Sequence, residues 1–304
     1  MSEIARWGAG EPGALVTALW WSRDNRWLAA RVGGARSSFW NASTHEPWSE
    51  FAPREAVTVS SVEFVCGGTA ALLWMLGKEY GQILDPYTLR CVSLSDGSMP
   101  ELWKIGLPAS ALHIVGLRDD LSRIVVDSPQ DGWWALDRGE SSRWRKFAAE
   151  EVHRSSVRMR DDDTVDLITD RAWVRARLER DRVVIVSEYL PLEAGDLRLE
   201  LNELGVLAHN ARSSRAWLRR KDGAVFYADL PAHHRHLSRL ASEAAVYALS
   251  SETGQSTVID LEAGERIELE MGEGIEQVEL SPDATRFAVS VASGDVRVFA
   301  IERR

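Results

Sequence analysis

Residues 278–304 read VELSPDATRFAVSVASGDVRVFAIERR, and this stretch decides the fold that the sequence predicts. It contains a Ser-Pro-Asp turn, an apolar strand of alternating residues, a Gly-Asp turn and a second apolar strand. Taken alone, the stretch predicts one β-hairpin. If its pattern recurs along the chain, it predicts a fold built from repeated small sheets.

The turn and the strand that follows it recur. The stretch WSRDNRWLAARVG from Trp21 aligns with LSPDATRFAVSVA from Leu280, and LRDDLSRIVVDS from Leu117 has the same plan. HNARSSRAWLRR from His209 and DRAWVRARLERD from Asp170 are similar to each other and keep the Arg and the aromatic residue. Each stretch predicts a polar turn that leads into a strand of alternating apolar residues.

A second marker follows each turn, in the form of an apolar strand that usually ends in an acidic residue or Asn. The mean spacing between these strand ends is about 43 residues. A period of this length with several short strands is typical of a β-propeller blade. The seven strands end at Asn41, Asp85, Asp137, Glu188, Asp229, Asp260 and Ala300, the last without an acid.

Seven strand ends predict an all-β chain in which residues 1–304 form a single β-propeller domain of seven blades. The last blade has three strands of its own, and we expect the segment SEIARW, residues 2–7, to add the fourth and close the ring. The step from Asp229 to Asp260 is short for a blade of four strands, and residues 151–170 contain two candidates for the first strand of a blade. Six or eight blades, or an irregular β-sandwich, therefore stay open.

Two further stretches carry predictions about single strands. LEAGDLRLEL from Leu192 and LEAGERIELE from Leu261 are near copies, and we expect each to form the outermost strand of a blade. HRHLSRLASEAAVYAL from His234 is rich in Ala and Leu, but we predict a loop followed by the strand AAVYAL, because the next acid-ended strand needs a partner.

The turn SPDATRFAV together with SGDVRVFAI resembles a WD-repeat protein, and the whole chain is similar to that class in its period. The sequence contains neither a Gly-His nor a Trp-Asp dipeptide, so it lacks the hydrogen-bonded tetrad of that family. The resemblance implies a propeller that serves as a protein–protein interaction scaffold. By analogy with divergent bacterial propellers, it also implies an accessory subunit of an NTPase-linked or regulatory assembly. It implies no particular binding residues.

Composition narrows the class of function. The formal net charge of −10 disfavours nucleic acid and anionic membranes as direct partners. The chain has two cysteines without metal-type spacing, no basic and apolar leader at its start, and no apolar run of membrane-spanning length. We therefore expect a cytoplasmic protein that works without a cofactor.

Charge is distributed unevenly along the chain. Residues 205–240 carry a net charge of +5, whereas residues 251–283 carry −9. Such asymmetry favours partners of complementary charge. The residues that we predict to bind a partner protein are Arg212, Arg219, Arg220, Lys221, His233, His234 and His236.

No catalytic motif is present, and we predict that the chain is not an enzyme. The histidines of LPAHHRHLS do not have the spacing of a catalytic zinc site, and the sequence has neither a G-x-S-x-G elbow nor a phosphate-binding loop. Two alternatives stay open. One is a ligand-binding or hydrolytic propeller that uses its axial channel, and the other is a carbohydrate-binding lectin that uses an exposed Trp.

Overall fold

The computed structural model describes most of the chain, with short gaps between strands. In the described residues all regular secondary structure is β-strand, and no helix occurs. The described residues are 1–8, 14–33, 36–51, 57–77, 87–94, 101–107, 113–128, 132–138, 143–147, 152–159, 164–169, 172–179, 182–191, 198–209, 215–231, 237–251 and 253–302.

The strands form four-stranded sheets in which spatial order follows chain order. Sheet 1 contains β2 (Val16–Trp21), β3 (Trp27–Val32), β4 (Arg36–Asn41) and β5 (Glu46–Phe51). Sheet 2 contains β6 (Val57–Val65), β7 (Ala70–Gly77), β8 (Tyr87–Ser93) and β9 (Glu101–Gly106). Sheet 3 contains β10 (His113–Leu117), β11 (Arg123–Ser128), β12 (Gly132–Asp137) and β13 (Trp144–Phe147).

The next three sheets have the same plan. Sheet 4 contains β14 (Val152–Met159), β15 (Thr164–Thr169), β16 (Ala172–Leu178) and β17 (Val183–Pro191). Sheet 5 contains β18 (Arg198–Leu201), β19 (Gly205–His209), β20 (Arg215–Arg220) and β21 (Val225–Asp229). Sheet 6 contains β22 (Leu237–Leu240), β23 (Val246–Ser250), β24 (Gln255–Asp260) and β25 (Arg266–Glu270).

Sheet 7 takes strands from both ends of the chain. It contains β26 (Ile275–Leu280), β27 (Arg286–Val291) and β28 (Asp295–Ala300), and β1 (Ser2–Gly8) lies antiparallel to β28. The predicted N-terminal strand is thus present beside the last strand, whereas closure of a ring by this pairing stays a prediction. Seven sheets of four strands are the blades of a β-propeller, so the predicted all-β fold and the number of blades are confirmed.

The chain divides into two compact units. The larger unit contains residues Met1–Ile105 and Tyr227–Arg304, and the smaller unit contains Gly106–Phe226. Sheets 1, 2, 6 and 7 belong to the larger unit, and sheets 3 and 4 with the first three strands of sheet 5 belong to the smaller one. The prediction of one domain over residues 1–304 stays a prediction.

The repeated Ser-x-Asp stretch forms the turn between the first two strands of sheet 1. Ser22 Oγ donates to Asp24 Oδ1 at 2.6 Å and accepts the backbone N–H of Trp27 at 2.8 Å. Asp24 Oδ1 also accepts the backbone N–H of Arg26 at 3.1 Å. Asn25 adopts a positive φ of 59°, a left-handed conformation that Asn tolerates better than most residues. Short polar side chains therefore satisfy the backbone of this turn.

The equivalent turn of sheet 7 has the same hydrogen bonds. Ser281 Oγ donates to Asp283 Oδ1 at 2.8 Å and accepts the backbone N–H of Arg286 at 2.9 Å. Asp283 Oδ1 accepts the N–H of Thr285 at 3.0 Å, and Ala284 adopts a positive φ of 54°. The repeat that the sequence predicts is therefore also a repeat of turn geometry.

The Asn or acid that ends several third strands has a structural cause. Asn41 Oδ1 accepts the backbone N–H groups two and three residues ahead, at 2.9 and 3.1 Å. Asp260 Oδ1 accepts the corresponding two groups, both at 3.0 Å. These side chains hold the turns between the third and fourth strands of sheets 1 and 6, as Asx turns do.

The acid-ended marker falls on a different strand in sheets 4 and 5. Asp137 and Asp260 end third strands, whereas Glu188 and Asp229 lie on the fourth strands β17 and β21. Asp85 lies outside the described residues. Strands in one meander share the same alternation of side chains, so the marker does not identify a strand's place in its sheet. This shift by one strand explains the short step that left the number of blades open.

Two predictions about single strands were wrong in part. β25 is the outermost strand of sheet 6, as predicted, but β18 is the first strand of sheet 5. Both strands alternate apolar and polar residues, and alternation reports an exposed face without reporting a position in the sheet. The region predicted as a loop before AAVYAL contains the strand β22.

One repeated position joins neighbouring sheets of the larger unit. Trp27 and Arg286 each begin the second strand of their sheet. Trp27 Nε1 donates to the carbonyl oxygen of Gly68 in sheet 2 at 2.8 Å. Arg286 Nη1 donates to the carbonyl oxygens of Asn25 and Ala42 in sheet 1, at 3.1 and 2.9 Å. Because backbone carbonyls accept these bonds, side chains as different as Trp and Arg make the same connection.

Apolar side chains fill the space between adjacent sheets. In the larger unit, Trp7 of β1 stacks on Trp40 of sheet 1, with ring centroids 5.2 Å apart and planes 10° apart. Trp7 Nε1 also donates to the carbonyl oxygen of His45 at 3.0 Å. In the smaller unit, Trp133 of sheet 3 and Val174 of sheet 4 share one buried cluster. These clusters supply the hydrophobic burial that holds the sheets side by side.

Candidate partner-binding surface

Three of the predicted partner-binding residues lie together: Arg219 and Arg220 end β20, and Lys221 begins the turn that leads to β21. Gly223 closes this turn, and its N–H donates to the carbonyl oxygen of Arg220 at 3.0 Å. The φ of Gly223 is +89°, a conformation that glycine adopts without strain. The local sequence therefore specifies a tight hairpin that carries three consecutive basic residues.

Strand β20 separates a buried face from a basic face. Ala216 and Leu218 are buried, and they alternate with Arg215, Trp217 and Arg219. Because alternate residues of a strand share one face, these last three side chains lie together. Arg215 is exposed, whereas Trp217 and Arg219 are half-buried.

Lys221 makes an internal ion pair. Its Nζ lies 3.1 Å from Oδ2 of Asp166, and Arg175 Nε lies 3.2 Å from Oδ1 of the same carboxylate. The Asp166 side chain has an exposed fraction of 0%, whereas Lys221 and Arg175 keep 24% and 28%. Lys221 Nζ also lies 5.4 Å from the ring centroid of buried Trp173, within the range of a cation–π interaction.

This cluster joins two sheets of the smaller unit. Asp166 lies on β15 and Arg175 on β16, both in sheet 4, whereas Lys221 lies in the turn of sheet 5. Each oxygen of the Asp166 carboxylate has a cation beside it, which compensates for the loss of water around a buried charge. The Lys221 ammonium therefore has a structural role, and its predicted role in partner binding stays a prediction.

The structure describes only some of the remaining predicted residues. Arg220 is half-buried, and its Nε lies 3.4 Å from Oδ2 of Asp222, whose side chain is 58% exposed. An exposed pair of this kind is weak and can exchange partners. The structure places Arg219, Arg220 and Lys221 on one hairpin, at the end of β20 and the start of the turn that follows it. Four predicted residues lie outside the described part of the chain, namely Arg212, His233, His234 and His236.

Two outer strands expose apolar side chains that the sequence analysis did not single out. On β17, Ile185 is 58% and Val186 45% exposed, and on β21 Val225 is 38% and Tyr227 65% exposed. The available signal was the uncharged run VVIV at the start of β17, which we interpreted only as a repeat marker. The assignment of these strands to the wrong place in their sheets hid their position at an edge.

The outer strand of sheet 6 has the opposite character. Glu268 and Glu270 of β25 are exposed, as are Glu262 and Glu265 in the turn before it. Charged side chains on an edge strand discourage pairing with other chains. The acidic segment that the sequence identified is therefore a charged surface of the larger unit.

Two other kinds of site are absent from the described residues. Among the residues that the structure describes, no group of three or more His, Cys, Asp or Glu side chains is arranged to hold a metal ion. In the same residues, no helix has the length and apolar character needed to span a bilayer.

Sequence comparisons find no relative for this chain. No protein-family model matches it, and no curated protein sequence matches it significantly.

Structural comparisons find many similar β-propellers. The β-propeller domain of Cps50 (Swd1) from Myceliophteria thermophila is 12% identical, with a TM-score of 0.64 over 96% of this chain and 100% of that one. A chain of the mitotic checkpoint complex is 10% identical, with a TM-score of 0.66 over 99% of this chain and 95% of that one. Raptor from Chaetomium thermophilum is 12% identical, with a TM-score of 0.68 over 100% of this chain and 29% of that one.

These likenesses establish the class of fold. The chain is a seven-bladed, WD-repeat-like β-propeller, as the turn pattern predicted. At identities of 10 to 12% the comparison carries no binding residue from those proteins to this one.

Proposed function

We propose that this chain is a protein–protein interaction scaffold, an accessory subunit of a larger cytoplasmic assembly and not an enzyme. The observation that carries the proposal is the fold. Nearly the whole chain is similar to propeller structures, and one of these belongs to the mitotic checkpoint complex. A propeller holds its strands in fixed sheets while the connecting turns vary in sequence, which suits the display of docking residues.

The docking surface of this proposal is the basic hairpin of sheet 5. Arg219 and Arg220 supply its described charges, and Arg212, with His233, His234 and His236, extends it in the sequence. Lys221 contributes by fixing the hairpin to sheet 4 through Asp166. A partner with an acidic surface fits these residues, because complementary charge speeds encounter and selects partners.

The cytoplasmic location in this proposal draws support from the cysteines. Cys66 is exposed and Cys91 is buried, and the structure joins neither in a disulfide. A chain with so few cysteines and no disulfide suits a reducing compartment.

The test is affinity capture of the full-length chain from native lysate, followed by mass spectrometry and reconstitution with the purified partner. The variant Arg219→Glu with Arg220→Glu should lose the partner, and the affinity of the unaltered chain should fall as salt rises. Lys221 is left unchanged, because a glutamate there would lie beside the buried Asp166 carboxylate.

A matched control reverses two charges elsewhere. Arg143 precedes the outer strand of sheet 3 and Lys146 lies on that strand, and both side chains are exposed. The variant Arg143→Glu with Lys146→Glu should keep the partner. Equal loss in both variants would show that the hairpin is not the docking surface. The absence of any stoichiometric protein partner would overturn the scaffold itself.

A further inference from the structure

One face of sheet 4 carries two arginines towards sheet 5. Asp166 of β15 lies opposite Arg175 of β16, and Arg177 lies two residues further along β16, so the three side chains share this face. The other face, which contains Val165, packs against residues of sheet 3. Lys221 Nζ of sheet 5 lies 3.1 Å from Asp166 Oδ2, which shows that the face with the arginines is directed to sheet 5.

Sheet 5 turns Arg219 towards sheet 4. The third residue of the second strand faces the following sheet in sheets 3 and 4, where Val125 packs with sheet 4 and Asp166 contacts sheet 5. The equivalent residue of sheet 5 is Leu207, which lies opposite Leu218 of β20. Leu218 therefore faces away from sheet 4, and Arg219, the next residue along the strand, faces sheet 4.

The space between these two faces, the sheet 4–5 cleft, is basic and reaches solvent on its outer side. Arg177 is exposed, and so is Ser187 of the outer strand β17, which lies opposite Arg175. Asp166 is fully buried, and its two described ion pairs involve Lys221 and Arg175. The cations of the cleft are Arg175, Arg177, Arg219 and Lys221. Such an excess of positive charge favours an acidic ligand.

Apolar side chains lie among the cations of the cleft. Trp217 shares the face of Arg219 and is half-buried, and Val184 of β17 lies opposite Arg177 and is also half-buried. Arg175 and Arg177 are two residues apart on one strand, and an extended peptide repeats its side chains on one face at the same interval of about 6.6 Å. A segment in which carboxylates alternate with apolar residues therefore matches both the spacing and the chemistry of the cleft.

We propose that the sheet 4–5 cleft binds an extended acidic segment of the partner protein, in which carboxylates alternate with apolar side chains. The inference rests on the proposed function, because it names the part of the partner that the basic hairpin meets. It adds Arg177, which lies on another sheet, to the residues that bind. The Arg177 guanidinium donates to carboxylates of the segment, and apolar side chains of the segment pack on Trp217.

Fluorescence anisotropy with the full-length chain tests the proposal. The probe is a fluorescein-labelled peptide of about ten residues in which glutamate alternates with valine. Arg177→Glu should weaken binding about tenfold, whereas Arg177→Lys keeps the charge and should weaken it less. The matched control is Arg143→Glu, which reverses the charge of an exposed arginine beside sheet 3 and should bind as the unaltered chain does. Far-UV circular dichroism and Tm establish that the variants are folded.

Several outcomes would overturn the cleft as a binding site. The peptide could fail to bind saturably, it could bind Arg177→Glu as tightly as the unaltered chain, or a thymidine oligonucleotide of the same length could bind more tightly than the peptide. Capture from native lysate separates this inference from the proposed function. A partner that is lost with Arg219→Glu and Arg220→Glu but kept with Arg177→Glu would refute the cleft and leave the scaffold intact, whereas the absence of any partner would refute the scaffold.

Discussion

Asp166 and Glu63 are two carboxyl groups that the fold shields from water in different ways. Asp166, on the second strand of sheet 4, is fully buried and has Lys221 on one oxygen and Arg175 on the other. Glu63, on the first strand of sheet 2, is half-buried, and burial raises the pKa of its carboxyl to about 7. In the described residues no cation pairs with Glu63.

The difference shows how this protein handles shielded charge. Removal of a carboxylate from water is costly, and paired cations offset that cost only where their geometry allows it. At Asp166 the compensating Lys221 comes from the next sheet, so the ion pair also joins two sheets. At Glu63 no cation of the described residues offsets the cost, and burial makes the group resist ionisation. Removal of a partner should therefore harm the first site, whereas removal of the charge should help the second.

The largest effect should follow from the loss of Lys221. Lys221→Met removes one of the two described cations from the buried Asp166 carboxylate, and we expect the free energy of unfolding to fall by about 3 to 4 kcal/mol. Urea denaturation followed by Trp fluorescence measures this loss.

Arg220→Met is the matched control for that measurement. It removes a neighbouring cation whose partner Asp222 is exposed, and the loss should be below about 1 kcal/mol. Equal losses in the two variants would show that the Asp166 pair contributes no more than a surface pair.

The next effect should appear as a change in pH dependence. Glu63 has a pKa of about 7 in the folded chain against an ordinary value of 4.5 in the unfolded one. The unfolded chain therefore releases this proton first, and stability should fall by about 3 kcal/mol as pH rises from about 4.5 through 7. Glu63→Gln removes the titration, so this part of the fall should vanish and the variant should be the more stable one at pH 8.

Denaturant midpoints at several pH values measure the change. Glu268→Gln, which replaces an exposed glutamate on β25, serves as the control and should keep the pH profile of the unaltered chain. Identical profiles for the unaltered chain and Glu63→Gln would contradict the interpretation that partial burial raises the pKa of Glu63.

The smallest effect should follow from the loss of Arg286, because the groups that accept its hydrogen bonds are neutral. Arg286 of sheet 7 donates to two backbone carbonyls of sheet 1, so its loss leaves no buried charge behind. We expect Arg286→Met to lower the free energy of unfolding by about 1 to 2 kcal/mol, less than Lys221→Met. The same urea experiment measures it, with Arg143→Met, at an exposed arginine beside sheet 3, as the control. A loss as large as that of Lys221→Met would show that an ion pair and hydrogen bonds to neutral carbonyls stabilise neighbouring sheets equally.

The sequence predicted the parts of the fold that depend on local hydrogen bonds. Ser22 and Asp24, like Ser281 and Asp283, satisfy turn backbones within five residues, so their spacing is visible in the chain itself. The place of a strand in its sheet depends on which strands lie beside it. For that reason Glu188 and Asp229 were counted on the wrong strand.

The candidate site was predictable only in part for a related reason. The basic run Arg219–Lys221 is obvious in the sequence, but the partner of Lys221 lies 55 residues away on another sheet. The exposed Ile185 and Val186 depend on a bulge in the pairing of β17 with β16, which no local pattern of residue types encodes.

By itself the sequence indicated that this chain is all β and repeats about every 43 residues, and it favoured the seven units that the sheets confirm. Tertiary structure alone decided which cations face solvent, which carboxyl groups lose water and which outer strands expose apolar side chains. The physical reason is range. Turns and side-chain alternation arise from contacts between near neighbours in the chain, whereas desolvation and ion pairing depend on groups that only the packing of separate sheets brings together.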